Sequence, residues 1–327
     1  MALTTTQILK TKLTNKFTIY TPKGVTSSLC GSSVISLGTF DGVHVAHRAL
    51  LDESVKLKNH LGAALVGAWC FSSPPASYLG ASKVFELTQI EQKVSLLLSC
   101  GLDFVAVGDF NDYRSIEAEA FVRETLISSL SCVGVVCGYD HRFGYKGTGN
   151  EELLRSIFEK DAVISVPKID IDGITVSSSE IRSRLSLGDV EGACMMLGRP
   201  YSITSNVESG KKLGRRIGFP TANQFFPDGA ALLNTGIYAV RCITEKGESY
   251  MGTANVGIRP SIDDSIDNHK LNCETYIHGY TGELYGQSMT VEFLKRLRDE
   301  MRFPNLDALK AAIANDVEET VRYFSEK

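Results

Sequence analysis

The chain is 327 residues long, more than a single hydrophobic core usually serves, so two domains are expected. A formal net charge of −4 excludes a general nucleic-acid coat and leaves any anion to be met by a local basic loop. The eight cysteines include no C-x-x-C pair, which argues against a disulfide scaffold and suits free thiols in a reducing compartment. The opening residues, MALTTTQILKTKLTNKF, hold no apolar core with a small-residue cleavage site, and no run approaches the roughly 18 apolar residues of a membrane span. The expected location is the cytoplasm, with no membrane partner. A start rich in Thr and Lys, with no acid before Asp41, leaves a transit peptide open.

In chain order, SVISLGTF from Ser33 predicts a buried strand, and HRALLDESVKLKNHLG an amphipathic helix behind it. The alternation repeats: AALVGAWCF reads as a strand, IEQKVSLLLSCG as a helix ending at Gly101, DFVAVGDF as a strand, IEAEAFVRETLISSL as a helix and CVGVVCG as a strand. That order favours a parallel sheet covered on both faces, an α/β architecture. After Arg184, LGDVEGACMMLGRPYSI predicts a short linking helix closed by Gly198 and Pro200. GIYAVRCI, SYMGTANVG, LNCETYIHG and QSMTVEFLKRL then read as strands of a β-rich domain. The last segment places Leu306, Leu309, Ile313, Val317, Val321 and Phe324 at helical intervals and should lay one face on that domain.

Three stretches carry chemistry. GKKLGRRIGFPTAN combines Gly210, Gly214 and Gly218 with Lys211, Lys212, Arg215 and Arg216, so backbone N–H groups and positive charge can meet phosphate. Thr221 and Asn223 behind it offer neutral oxygens to Mg²⁺, which takes few protein ligands and keeps water and phosphate; a charged hairpin tip leading into a strand is the structural alternative. GTFDGVHVAH, Gly38 to His47, falls where the first strand meets the first helix, and His44 and His47 can donate hydrogen bonds to a phosphate. Two cap-region histidines or half of a zinc site stay open as alternatives. In SSSEIRSRL, Ser177, Ser178 and Ser179 cap a helix or, with Arg182 and Arg184, meet a polyphosphate. In GYDHRFGYKGTGN, Asp140, Phe143 and Tyr145 suit a planar heterocycle or ordinary loop packing.

Together these motifs resemble the bacterial bifunctional riboflavin kinase/FMN adenylyltransferase family, over nearly the whole chain from about Val34. GTFDGVHVAH, GYDHRFG, SSSEIR and GRPY are similar to the motifs of the first half and the linker. GFPTAN, NVGIRPS, the Glu274 segment, ELYG and FLKRLRDEMRF are similar to those of the second. The resemblance implies a Rossmann-like nucleotidyltransferase domain over 1–186, then a six-stranded antiparallel β-barrel riboflavin kinase domain with a C-terminal helix over 187–327. In the kinase half it implies Thr221 and Asn223 as magnesium ligands and Glu274 as the base. It places Gly210, Lys211, Gly214, Arg215 and Gly218 around ATP, and Asn255 and Arg298 by the flavin.

In the first half the resemblance implies adenylylation of FMN to FAD. Gly38, Phe40, Ser178, His44, His47 and Arg182 would stand at the nucleotide phosphates, and Asp140 and Phe143 near the flavin. Substrates and products would be riboflavin, FMN, FAD and ATP, with no nucleic acid. This chain departs from the pattern at Ala46 for a glycine, at Pro74 within FSSPP for Pro-His-Pro, at His141 for a phenylalanine, and near Gly147, where an expected arginine is absent and Lys146 lies alongside. The departures cluster in the first half, so a riboflavin kinase with a degenerate, merely ligand-binding first domain is the second expectation. A flavin-sensing regulator without turnover is disfavoured by the intact Thr221, Asn223 and Glu274.

Overall fold

A computed structural model describes residues 17–79, 84–209, 214, 217–259 and 270–326. They form two compact units that divide between Ser178 and Ser179. In the first unit, strands β1 (Phe17–Thr21), β2 (Gly24–Thr26), β3 (Ser33–Leu37), β4 (Leu65–Phe71), β5 (Phe104–Gly108), β6 (Cys132–Gly138) and β7 (Val163–Val166) form a seven-stranded sheet of order β2-β1-β5-β4-β3-β6-β7. The pairs among β5, β4, β3, β6 and β7 are parallel. β1 and β2 add an antiparallel edge that the apolar pattern does not announce. Helices α1 (Val45–Leu61), α2 (Ile90–Ser99), α3 (Ala118–Ala120, running on as a π-helix over Phe121–Ser129) and α4 (Glu151–Ile157) alternate with the strands.

Both faces of this sheet are covered, which is why β3 and β5 are buried at every position and read as continuous apolar runs. Along β4, Val66, Ala68 and Cys70 enter one core with Phe40 and Leu51, while Trp69 enters the other with Phe17 and Phe104. The strand order reverses at β3, which has β4 on one side and β6 on the other. The crevice at the carboxyl ends of such neighbours is where open α/β sheets bind ligands. It is here that residues 38–47 and 138–149 leave the sheet.

The second unit opens with helices α5 (Ser178–Leu187), which begins at the junction, and α6 (Val190–Leu197), closed by Gly198 at φ 66° as the sequence predicts. Strands β10 (Tyr201–Asn206), β11 (Thr221–Phe225), β12 (Gly236–Thr244), β13 (Ser249–Arg259), β14 (Lys270–Ile277) and β15 (Ser288–Arg298) follow; the intervening β8 (Asp170–Ile171) and β9 (Ile174–Thr175) are a small hairpin of the first unit. The six form an antiparallel sheet of order β10-β15-β12-β13-β14-β11. Its two edges approach each other. The Glu208 N–H donates to the Asn223 carbonyl at 2.7 Å, and buried Gln224 donates through Nε2 to the Ser205 and Met289 carbonyls, both at 2.7 Å. The inner face carries Val240, Cys242, Ala254, Val256, Cys273 and Phe293, all fully buried. This is the α/β sheet followed by a six-stranded antiparallel sheet and terminal helix that the resemblance implies.

In the terminal helix, α7 (Leu306–Ser325), the expected face holds in part: Leu309, Ile313, Val317 and Phe324 are half-buried. Leu306 and Val321 are exposed, and the residues it buries fully are Asp316 and Thr320. Hydrogen bonding overrides the apolar spacing: the Thr320 and Thr253 hydroxyls pair at 2.8 Å, and Asp316 receives Arg298 through Nε at 2.8 Å and Nη2 at 2.6 Å. A carboxylate 3% exposed tolerates loss of its cation poorly, and the converse holds for the guanidinium. Asp316→Ala is expected to destabilise this unit by about 3 kcal/mol, read by urea denaturation, with most of the loss recovered in Arg298→Met/Asp316→Leu.

None of the eight cysteines is in a disulfide. Among the described residues no helix is long and apolar enough to cross a membrane.

Candidate active sites

In the first unit the chain leaves β3 at Gly38 and turns through Phe40 (φ 51°), Gly42 (φ 84°) and Val43 (φ 41°) before α1 begins. Two non-glycine residues at positive φ in four positions mark a loop held by its surroundings. Asp41 holds it. Its buried Oδ1 accepts the Leu87 and Thr88 N–H groups at 2.8 and 3.2 Å, and its carbonyl accepts the Ser178 hydroxyl at 2.9 Å. Gly38 has a packing role: a Cβ there would stand 3.1 Å from the ring of Phe40. That ring is wholly buried in the core, 5.1 Å from the imidazole of His47, so Phe40 shapes the loop.

His44 is the N-cap of α1, its Nδ1 accepting the His47 N–H at 3.3 Å. The imidazoles stack with centroids 3.6 Å apart and planes 12° from parallel. Both the cap and the shared side expected from the three-residue spacing are therefore present. Nδ1 as acceptor leaves Nε2 as the protonated nitrogen of neutral His44, a donor at a helix N-terminus. Among the described residues no cluster of three or more His, Cys, Asp or Glu could hold a metal ion. Ala46 lies in the first turn of α1, a right-handed position that does not require glycine.

The loop after β6 behaves differently from its sequence reading. Phe143 is 9% exposed and belongs to the core with Phe121, while Asp140 and Tyr145 are exposed. Half-buried His141 stacks on Phe143 at 6.0 Å, and burial pushes its imidazolium down to about 4. The unfolded chain titrates near 6.5, so this ring contributes nothing above that pH. As the pH falls from 6.5 to 4 it withdraws at most about 3 kcal/mol. Denaturation midpoints of the parent chain should therefore drop between pH 7 and 5 more than those of His141→Phe; equal slopes would refute this account.

At the junction, the Ser178 hydroxyl is spent on the Asp41 carbonyl rather than on a cap. Arg182 lies one turn further along α5, its Nη2 3.3 Å from the Ser179 hydroxyl. Arg184, read from sequence as a phosphate partner, is engaged by Glu180 at 3.0 Å and Asp189 at 2.6 Å.

In the second unit Gly210, Lys211, Lys212, Arg215 and Arg216 lie outside the described residues. Gly214 and Gly218 are described. The Phe219 N–H donates to the Gly214 carbonyl at 2.8 Å, and the Phe219 carbonyl comes back so closely that a Cβ on Gly214 would stand 2.2 Å from it. The same Cβ position is 3.5 Å from the Thr221 hydroxyl, so the turn folds against the start of β11.

Register then builds the cluster. Asn223 on β11 pairs with Glu274 on β14, and Glu274 pairs with Asn255 on β13, which sets three side chains in one row on one face. Thr221, two residues along, shares that face. The Asn255 Oδ1 is buried with no hydrogen-bond partner among the described residues, an acceptor that calls for explanation. Thr253 and Gly257 continue this face of β13, one end meeting α7 through Thr320 and the other lying beneath the Glu300 carboxylate. Arg298, expected at the flavin, is instead committed to Asp316 and to the Asp299 carbonyl, and so braces this wall. Sequence reading misses Asn272, whose Nδ2 donates to the Glu274 Oε1 at 3.2 Å; the available signal is its place two residues before Glu274 on one strand.

A switch-point crevice headed by a histidine-capped helix, and a barrel face with a carboxylate set between neutral oxygens, define an enzyme made of two transferase halves. The family model described as FAD synthetase matches residues 27–180, and that described as riboflavin kinase matches 197–324. Proteins named bifunctional riboflavin kinase/FMN adenylyltransferase are similar along nearly their whole length. That of Buchnera aphidicola subsp. Schizaphis graminum is 33% identical, covering 90% of this chain and 95% of its own. That of Bacillus subtilis strain 168 is 32% identical over 90% and 93%, and that of Escherichia coli K12 31% over 89% and 92%.

A crystal structure titled as a macrolide-efflux protein from Streptococcus pneumoniae shares the fold across both units, with a TM-score of 0.81, 26% identity and coverage of 90% of this chain and 95% of its own. The chain belongs to the bifunctional riboflavin kinase/FMN adenylyltransferase family.

Proposed function

We propose that this chain phosphorylates riboflavin to FMN with ATP in its second half and adenylylates FMN to FAD, releasing pyrophosphate, in its first. The observation that carries the reading is the row Asn223, Glu274, Asn255, with Thr221 alongside, in a chain whose other half keeps the histidine-capped helix of the transferase. Glu274 is the base: it takes the proton of the ribityl hydroxyl as that oxygen bonds to the γ-phosphorus and the bond to ADP breaks. Thr221 and Asn223 would hold Mg²⁺, their neutral oxygens suiting a hard cation, and the metal would supply charge neutralisation at the phosphates. Gly210, Lys211, Gly214, Arg215 and Gly218 meet those phosphates, and Asn255, whose oxygen is buried and orphaned, meets the flavin.

In the first half an oxygen of the FMN phosphate bonds to the α-phosphorus of ATP as pyrophosphate leaves. His44, His47 and Arg182 steady the charge that builds there, Gly38 and Ser178 shape the phosphate loop, and Asp140 stands by the flavin. The partners are small molecules, and the compartment is the cytoplasm. The reading of kinase activity alone is not favoured, because the Asp41 clamp and the stacked histidines are intact. Purified protein given MgATP with riboflavin or with FMN, and the products resolved by chromatography, tests both halves: FMN from the first and FAD from the second are expected. Failure of either product removes that half of the assignment.

A further inference from the structure

We propose that Asn272 is a positioning residue for the kinase half: its side-chain amide holds one oxygen of Glu274 so that the other is turned to the hydroxyl being deprotonated. The inference rests on Glu274 as the base. Its ground is the 3.2 Å bond from Asn272 Nδ2 to Glu274 Oε1, between side chains two residues apart on the same face of β14. Because a carboxylate only accepts, the nitrogen end of the amide must face it, which fixes the orientation of Asn272.

The terminal torsion of a glutamate is broad and nearly two-fold, so an untethered carboxylate sweeps a wide arc. A single amide N–H stops that sweep. Asn223 and Asn255 flank Glu274 at direct register, yet among the described residues the hydrogen bond to its carboxylate comes from Asn272. Asn272 is 8% exposed, so bulk water cannot substitute for it. Its opposite neighbour on β13 is Gly257, which adds no side chain to compete for the amide. Alignment of the base with the attacking hydroxyl is worth much of the rate in phosphoryl transfer, where small misplacements are costly.

The test measures riboflavin phosphorylation by Asn272→Leu, near in volume and without a donor, and by Asn272→Asp, the same shape with an acceptor in its place. The urea-denaturation midpoint of the same samples reports that the second unit, which holds Asn272, is folded. Both variants are expected to lose about 10- to 100-fold in kcat, with KM for riboflavin and for MgATP within about threefold of the parent. A kcat within twofold of the parent, or a loss carried by KM alone, overturns the proposal. Glu274→Gln is assayed beside them: if it collapses while the Asn272 variants do not, only the positioning role falls, whereas undiminished turnover by Glu274→Gln removes the base itself.

Discussion

Glu274→Gln is expected to abolish riboflavin phosphorylation while leaving conversion of FMN to FAD at the parent rate. Glutamine reproduces the outline of glutamate and keeps an Oε1 to accept the Asn272 amide, so the hydrogen bond now 3.2 Å long survives the change. The strand register on both sides of Glu274 is made by backbone groups and is untouched. What disappears is the basic lone pair. General-base assistance is typically worth 10²- to 10⁴-fold, or about 3–5 kcal/mol of barrier, and the loss should fall on kcat with KM little changed. The histidine-capped helix belongs to the other compact unit, so FAD formation from supplied FMN serves as an internal control in the same tube. Full FMN production by the variant would falsify the assignment of Glu274.

The parallel core of the first unit was legible because its strands are buried on both faces and therefore spell out uninterrupted apolar runs, as β3 and β5 do. β1 and β2 were not: in β1 Thr18 and Thr21 break up the buried Phe17, Ile19 and Tyr20, and β2 is three half-buried residues. β7, four residues with a mixed pattern, escaped for the same reason. The terminal helix is legible, and its apolar face in part, since Leu309, Ile313, Val317 and Phe324 are half-buried. Leu306 and Val321 fit a 3.6-residue period, yet the buried side is organised by Asp316 and Thr320, whose bonds to Arg298 and Thr253 no periodicity can announce.

The same division holds in the sites. His44, His47, Thr221, Asn223 and Glu274 lie in motifs, and local geometry suffices to assemble them. Phe40 and Phe143 also lie in motifs but serve the core, a role that a motif cannot distinguish from contact with a ligand. Asn272 lies in no motif and becomes visible only when its donor is seen on Glu274. Of the departures from the family pattern, Ala46 lies on helical backbone, where a methyl favours the helix by about 1 kcal/mol over glycine.

His44→Asn is expected to abolish FAD formation and leave riboflavin phosphorylation unchanged, and this substitution separates the two functions of one side chain. His44 caps α1 by accepting the His47 N–H at 3.3 Å, and its imidazole also stacks on His47. An alanine would remove both cap and ring, so loss of activity could follow from a frayed helix. Asparagine is among the best N-caps and can accept the same N–H, so α1 should keep its start, and the melting temperature should match or exceed that of the parent. The imidazole N–H at the helix terminus is gone, however, and with it a donor to the phosphate that gains charge as pyrophosphate leaves. Removal of one such donor typically costs 10²- to 10³-fold. FAD formation at least 100-fold slower, with FMN formation within twofold, is the expected result in a product assay on one preparation. Should FAD formation stay within threefold of the parent, His44 is a cap and nothing more, and the stabilising charge must come from His47 and Arg182.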